Sequence, residues 1–368
     1  MTDAGFDEGV VAQARKGRGA VGNPTGRFEP ASRHRVDDGW GVDPDEDLPA
    51  LRTMVSPEQP KRALTYNTSP DLAFDRTINP YRGCEHGCVY CYARPSHAYM
   101  GLSPGLDFET QLFAKHDLPD VLARELRKPG YVPKPVMLGA NTDCYQPIER
   151  EHGITRRVLE VLEAFGHPVL IVTKSAGVLR DADILERLAA RNLVSVGISV
   201  TTLEGALART SEPRAASPAK RLSTIAALAR CGIPVTVMAA PMIPCLNDHE
   251  LEAILEAGAA NGATQATMTL LRLPLELKDL FTEWLDAHAP LRKDRVLSHL
   301  REMRDGQLYV SDFKSRMSGT GVYADLLQKR FEMASRRFGL ARREPGASRF
   351  DLSHFAPPPA PGDQLSLL

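Results

Sequence analysis

An α/β fold built on a parallel sheet, with flexible N- and C-terminal extensions, is what this sequence predicts. Two observations carry that expectation. Short apolar runs rich in Val, Ile and Leu alternate with amphipathic segments of helical spacing through the middle of the chain. Strands of that composition are buried on both faces, and strand–helix alternation implies parallel pairing through right-handed crossovers. Hydrophobic residues make up 43 % of the 368, enough for a sizeable core.

The elements follow in order. Residues 1–50 are rich in Gly, Asp and Arg with little apolar periodicity, and read as a disordered or loosely packed extension. Thr77–Tyr81 predicts the first strand. Asp117–Lys128 has helical spacing and closes at Pro129-Gly130. Val136–Gly139 is a short strand, Ile154–Phe165 an amphipathic helix closed by Gly166, and Val169–Thr173 a continuous apolar strand. Asp181–Arg191 is the next helix and Leu193–Val200 the next strand. Ser217 and Pro218 open a helix as N-cap and first residue, and Gly232 closes it. Val235–Ala239 is a strand, Asn247-Asp248 can cap a helix running to about Ala260, and Ala266–Leu271 is a further strand. This divides the chain into an extension (1–50), a core (51–275), a helical extension (276–344) and a Pro-rich tail (345–368). No internal repeat is evident.

A net charge of −1 gives no global field that favours a polyanion. The absence of an apolar run near 18 residues predicts no membrane span, and no hydrophobic segment opens the chain. Six cysteines, three of them clustered, suit a reducing compartment, so a cytoplasmic location is expected.

The densest chemical signal is Cys84, Cys88 and Cys91 in the run Arg82-Gly83-Cys84-Glu85-His86-Gly87-Cys88-Val89-Tyr90-Cys91-Tyr92, spaced C-x3-C-x2-C. Soft thiolates favour iron–sulfur clusters or zinc. Three on one loop can hold three irons of a [4Fe–4S] cube and leave the fourth open. A zinc site needs a fourth protein ligand, for which His86 or His97 would have to compete without a recognised spacing. A disulfide reading leaves one thiol unpaired.

This run, with Tyr90 before the third cysteine, resembles the signature of the radical S-adenosylmethionine (SAM) superfamily. The resemblance spans roughly residues 72–275 and implies a partial (β/α)6 TIM-like barrel with the cluster on the loop after the first strand. It implies Cys84, Cys88 and Cys91 as ligands of a [4Fe–4S] cluster whose open iron chelates SAM. Reductive cleavage of SAM then gives a 5′-deoxyadenosyl radical that abstracts hydrogen from a substrate. It also implies an electron donor such as flavodoxin or ferredoxin. Tyr90 is expected to pack near the cluster and the adenine.

Chemistry in such barrels sits at the carboxyl ends of the strands. Asn141-Thr142-Asp143 occupies the place where the superfamily binds the SAM amino group, although these residue types also cap helices and form turns. The run Asn141-Thr142-Asp143-Cys144-Tyr145-Gln146-Pro147-Ile148-Glu149 is similar to the branch related to spore photoproduct lyase and the DNA repair photolyase-like proteins. Lys174 suits the SAM carboxylate, or else snorkels to solvent. Ser199 is placed for the ribose and Ile243 for the adenine. That branch returns hydrogen to its product radical from a cysteine after the second strand. Cys144 is the candidate here, but Asn141 stands at the motif position, so packing is the competing account.

Arg336, Arg337, Arg342 and Arg343 could meet phosphates or form a solvated helical face. After a proline-rich spacer the chain ends Gln364-Leu365-Ser366-Leu367-Leu368, which looks like a bacterial sliding-clamp-binding peptide anchored by Gln364, Leu365, Leu367 and Leu368. The expected protein is a lyase-like radical SAM enzyme acting on nucleic acid. The alternatives are a radical SAM enzyme acting on RNA, a peptide or a small metabolite, and a non-catalytic metal-binding interaction protein.

Overall fold

The structure is a computed structural model that describes residues 14–33, 51–342 and 350–359. The terminal peptide Gln364–Leu368 and Arg343 lie outside these residues.

Six strands form the central sheet: β1 Arg76–Ile78, β2 Val136–Leu138, β3 Val169–Thr173, β4 Val194–Ser199, β5 Val235–Met242 and β6 Gln265–Leu270. They pair in parallel in sequence order, each with the next. A sequential order with helical crossovers curves one sheet around a common axis, which is the partial barrel. Among the described residues the strip is not closed: Thr65–Tyr66 extends it antiparallel beyond β1 and Ala341–Arg342 extends it in parallel beyond β6.

The connecting helices are α1 Leu118–Leu126, α2 Ile154–Ala164, α3 Ala182–Ala190, α4 Pro218–Arg230 and α5 Leu251–Ala260. Each turns an apolar stripe onto the sheet: Ile154, Val158, Leu159 and Leu162 in α2, and Ile184, Leu185 and Leu188 in α3, are all fully buried. α4 starts as its sequence prescribes, with Ser217 Oγ accepting from the Lys220 amide and Pro218 at the first position. α5 does not follow expectation. A 3₁₀ turn at Asp248–Glu250 precedes it, and Asn247 caps nothing. Its amide instead accepts from Ile243 N at 2.6 Å and donates to the carbonyls of Thr201 (2.7 Å) and Pro241 (3.0 Å), bracing the loop after β5. Three buried backbone groups outcompeted one helix cap. Three more helices, α6 Leu277–His288, α7 Lys293–Glu302 and α8 Gly321–Arg337, complete the C-terminal part.

A small sheet missed by pattern reading carries the cysteine loop. Met54–Pro57 pairs in parallel with Gln111–Ala114, which pairs antiparallel with Tyr81–Arg82. Two- to four-residue strands are too short to show periodicity.

The expectation of a loose first fifty residues is corrected for residues 14–33. Ala20 and Val21 are buried, and Gly19 N and Ala20 N donate to the two oxygens of Glu109 at 3.0 and 2.8 Å. Composition indicates disorder by lack of apolar surface. This segment is held by backbone-to-carboxylate hydrogen bonds, which composition does not report.

Candidate active site

Cys84–Tyr92 leaves the small sheet at Arg82 and crosses the carboxyl ends of the strands. Gly83 and Gly87 adopt φ of +71° and +68°, a region open to glycine, and they fold the loop tightly enough to bring its thiols together. Arg94, fully buried, tacks the loop down: it donates to the carbonyls of Cys88 (2.8 Å) and Gly87 (3.1 Å) and pairs with Glu109. Glu109 thereby joins the cysteine loop to the N-terminal segment. Gln146, at the end of the second-strand motif, accepts from Glu85 N at 2.8 Å and donates to Gly83 O at 3.1 Å.

The three thiols open on a cavity of about 300 Å³ at the carboxyl ends of the strands. Among the described residues no three His, Cys, Asp or Glu side chains close on a single metal ion, as a zinc site with ligands about 2.3 Å from the metal would need. Burial pushes the Cys84 thiol up, and the charges of Asp143, Cys88 and Cys91 push it further. Burial raises Cys88 to about 12, with Lys174 pulling the other way. Cys84 and Cys88, both raised in this way, become thiolates only beside a compensating positive charge. The donor set, three soft ligands facing one cavity, fits a cluster.

Of the residues expected at the site, Cys84, Cys88, Cys91, Tyr90, Asn141, Thr142, Asp143, Lys174 and Ser199 all line this cavity. Their side chains are not equally available. Thr142 Oγ1 donates to Tyr81 O at 2.9 Å. Asp143 accepts from Thr173 Oγ1 (2.7 Å), Lys174 N (2.8 Å) and Tyr145 N (2.9 Å), with His86 Nδ1 at 3.3 Å. Burial alone would raise its pKa, but the His86 ring and these donors hold it at about 2. Asp143 is therefore a brace between the cysteine loop, β2 and β3. The Asn141 side chain, the Ser199 hydroxyl and the Lys174 ammonium have no hydrogen-bond partner among the described residues. Lys174 Nζ stands over the Tyr90 ring, 5.6 Å from its centre. Tyr90 is fixed from behind by hydrogen bonds to Glu212 and Thr201, and Glu212 is held by buried Arg221 at 2.7 Å.

Two expectations do not hold. Ile243 is 1 % exposed and lies outside the cavity, its amide turned to Asn247; Met238, Ala240 and Pro241 form that wall. Cys144 is fully buried in the core behind Gly139 and has no face on the cavity. The chain turns inward at Cys144 because Asp143 is anchored to β3.

Sequence reasoning missed Tyr92 and Arg272, which also line the cavity, and the wall of Leu72, Phe74 and Met317. An Arg just past the last strand was a readable signal for Arg272. The wall comes from segments without periodicity.

The fold has known counterparts. Structures of spore photoproduct lyase superpose with a TM-score of 0.54 at 15 % identity, covering 78 % of this chain and 81 % of the other. One of them contains bound AdoMet, which is SAM, and dinucleoside spore photoproduct. The family model of the radical SAM superfamily matches residues 78–258. An uncharacterised protein of Mycobacterium tuberculosis is 37 % identical over 234 residues, 63 % of this chain and 68 % of that one. An uncharacterised protein of Methanocaldococcus jannaschii is 30 % identical over 173 residues, 47 % and 62 % of the two chains. The chain belongs to the radical SAM superfamily and is an enzyme.

Proposed function

We propose that this enzyme holds a [4Fe–4S] cluster on Cys84, Cys88 and Cys91, binds SAM beside it, and acts on nucleic acid in the manner of a repair lyase. The observation that carries the reading is one cavity shared by three cysteine thiols and an ammonium, Lys174, that has no carboxylate within ion-pair distance among the described residues. When bound, the cluster and SAM supply one-electron cleavage of a carbon–sulfur bond and a carbon radical, given an outside reductant.

The chain's own part is positional. Lys174 sets a positive charge against the SAM carboxylate, and Asp143 aims it by taking the Lys174 backbone amide. Asn141 offers an amide to the SAM amino group, and Ser199 a hydroxyl to the ribose. Met238, Ala240 and Pro241 give an apolar surface for a flat ring. The short loop bonds of Arg94 and Gln146 hold the thiols without reorganisation. Nucleic acid is favoured as substrate because the fold neighbours include a lyase with dinucleoside spore photoproduct bound. Cys144 receives no role in hydrogen return, since its thiol is sealed in the core.

The reading is tested by reconstituting the protein with iron and sulfide under anaerobic conditions, adding a strong reductant and SAM, and measuring 5′-deoxyadenosine. Formation of methionine and 5′-deoxyadenosine supports it; intact SAM beside an iron-loaded protein sinks it.

A further inference from the structure

Besides Lys174 the cavity has a second positive side chain, Arg272. Arg272 follows β6 and lines the same cavity as Lys174. Its guanidinium carbon lies 4.4 Å from the centre of the Tyr92 ring. This contact with the ring face restrains the guanidinium without using its N–H groups. Among the described residues no carboxylate lies within ion-pair distance of it and no carbonyl accepts from it. The neighbouring arginines are both occupied: Arg316 is held by Asp71, and Arg304 donates to Leu271 O and to Arg316 O. Burial lowers the Arg272 pKa and the charge of Arg316 adds to it, opposed by Tyr92, Tyr309 and the more distant Asp71, whose carboxylate is already held by Arg316. A cation kept in such surroundings without a partner is costly unless an anion comes to it.

The surroundings indicate which anion. Next to Arg272 the cavity wall is Leu72, Phe74 and Met317, half-buried apolar side chains from outside the barrel. Tyr92 adds an aromatic face that is 45 % exposed. A planar cation beside an apolar and aromatic wall matches a phosphodiester with a base attached. The guanidinium grips two phosphate oxygens in its own plane, and the base lies on the apolar side.

We propose that Arg272, oriented by Tyr92, is the residue that anchors a backbone phosphate of the nucleic-acid substrate, at a subsite separate from the SAM subsite at Lys174. This deepens the proposed function and rests on it for the identity of the substrate. It makes Arg272 a positioning and specificity residue that touches substrate and no cofactor.

The experiment measures binding, not turnover. A fluorescently labelled single-stranded thymidine oligonucleotide about ten nucleotides long is titrated against anaerobically reconstituted enzyme. Its methylphosphonate-linked analogue, with a neutral backbone, serves as the second probe. Wild type should prefer the charged oligonucleotide. Arg272→Gln should weaken its binding about tenfold, reduce the slope of log affinity against log salt by about one contact, and abolish the preference between the two probes. Arg272→Lys, which keeps charge and lacks the planar fork, should recover part of the affinity. Circular dichroism melts of all variants exclude a folding defect as the cause. The inference is overturned if wild type binds neither probe, if Arg272→Gln binds the charged probe as wild type does, or if Arg272→Gln loses SAM affinity, which would reassign the guanidinium to the cofactor. Enzyme that cleaves SAM while Arg272→Gln binds oligonucleotide normally defeats this inference alone. Enzyme that binds oligonucleotide through Arg272 yet leaves SAM intact defeats the cofactor reading and keeps the anion site.

Discussion

Arg316 grips the Asp71 carboxylate across 245 positions of sequence, with Nε at 2.6 Å and Nη2 at 2.7 Å. The pair ties together the two non-barrel segments that supply Leu72, Phe74 and Met317 to the cavity. A further hydrogen bond, Leu270 N to Met317 O at 3.0 Å, fastens the second segment to the end of β6. This wall of the cavity is thus an addition to the barrel, held by a bidentate ion pair and a strand-end contact.

Asp71→Asn is expected to leave the Arg316 guanidinium, whose side chain is only 15 % exposed, without its counter-charge. A loss of roughly 1–3 kcal/mol in stability follows. Amide exchange should rise in the 312–319 segment and stay constant in the six barrel strands. Unchanged exchange there would show that the pair does not hold the wall.

Cys88→Ala should eliminate the cluster. Anaerobically reconstituted variant is expected to be colourless and iron-poor by metal analysis; a brown, iron-loaded variant contradicts the ligand assignment. Lys174→Gln should retain iron and lose roughly 10- to 100-fold in SAM affinity, the value of one charge-assisted contact, as read by calorimetry.

Gly19→Ala tests the packing of the N-terminal segment on the cysteine loop. A Cβ at this position would lie 1.7 Å from the Gly87 carbonyl oxygen, so the two backbones would have to separate. We expect the melt to register a loss of roughly 1–3 kcal/mol, and residues 14–33 to become sensitive to limited proteolysis. A variant as resistant as wild type would mean that the segment is not seated there.

Acid sensitivity should begin well above the carboxylate range. His97 and His167 are fully buried, and burial lowers each to about 4 against the hydrogen bonds they accept or donate. The unfolded chain protonates the same rings near 6.5. Between pH 6.5 and 4 the unfolded state therefore binds more protons. Stability is full above about pH 6.5 and falls as pH drops, by ~1.4 kcal/mol per unit for each ring, levelling below about 4. Denaturant titrations at pH 7 and pH 5 check this, and His167→Gln should roughly halve the slope. A flat profile between those values rules it out.

The parallel core and the cysteine loop were legible in the sequence because both are local signals. A strand such as Val169–Thr173 declares itself by an unbroken apolar run, and its predicted and observed limits coincide. The helix after Ser217 declares itself by a cap and a proline. Cys84, Cys88 and Cys91 carry their chemistry in their spacing. The roles of neighbours in the second-strand motif were not legible. Asn141 and Asp143 look alike as polar residues after a strand, and both line the cavity, yet the Asn141 side chain stays unpaired while Asp143 is consumed by Thr173 and Lys174 at the end of β3, His86 of the cysteine loop and Tyr145 of its own turn. Cys144 and Ile243 were sequence candidates that backbone direction turned inward.

By itself, then, the sequence determined the strand–helix repeat, the three clustered thiols and the positions where strands end, since periodicity and spacing act over a few residues. Only the tertiary structure decided which polar groups remain unpaired, because a partner such as Glu109 for Gly19 or Asp71 for Arg316 comes from a distant part of the chain. Arg272 and Lys174 stand out for function only once every nearby carboxylate is known to be engaged elsewhere or out of reach.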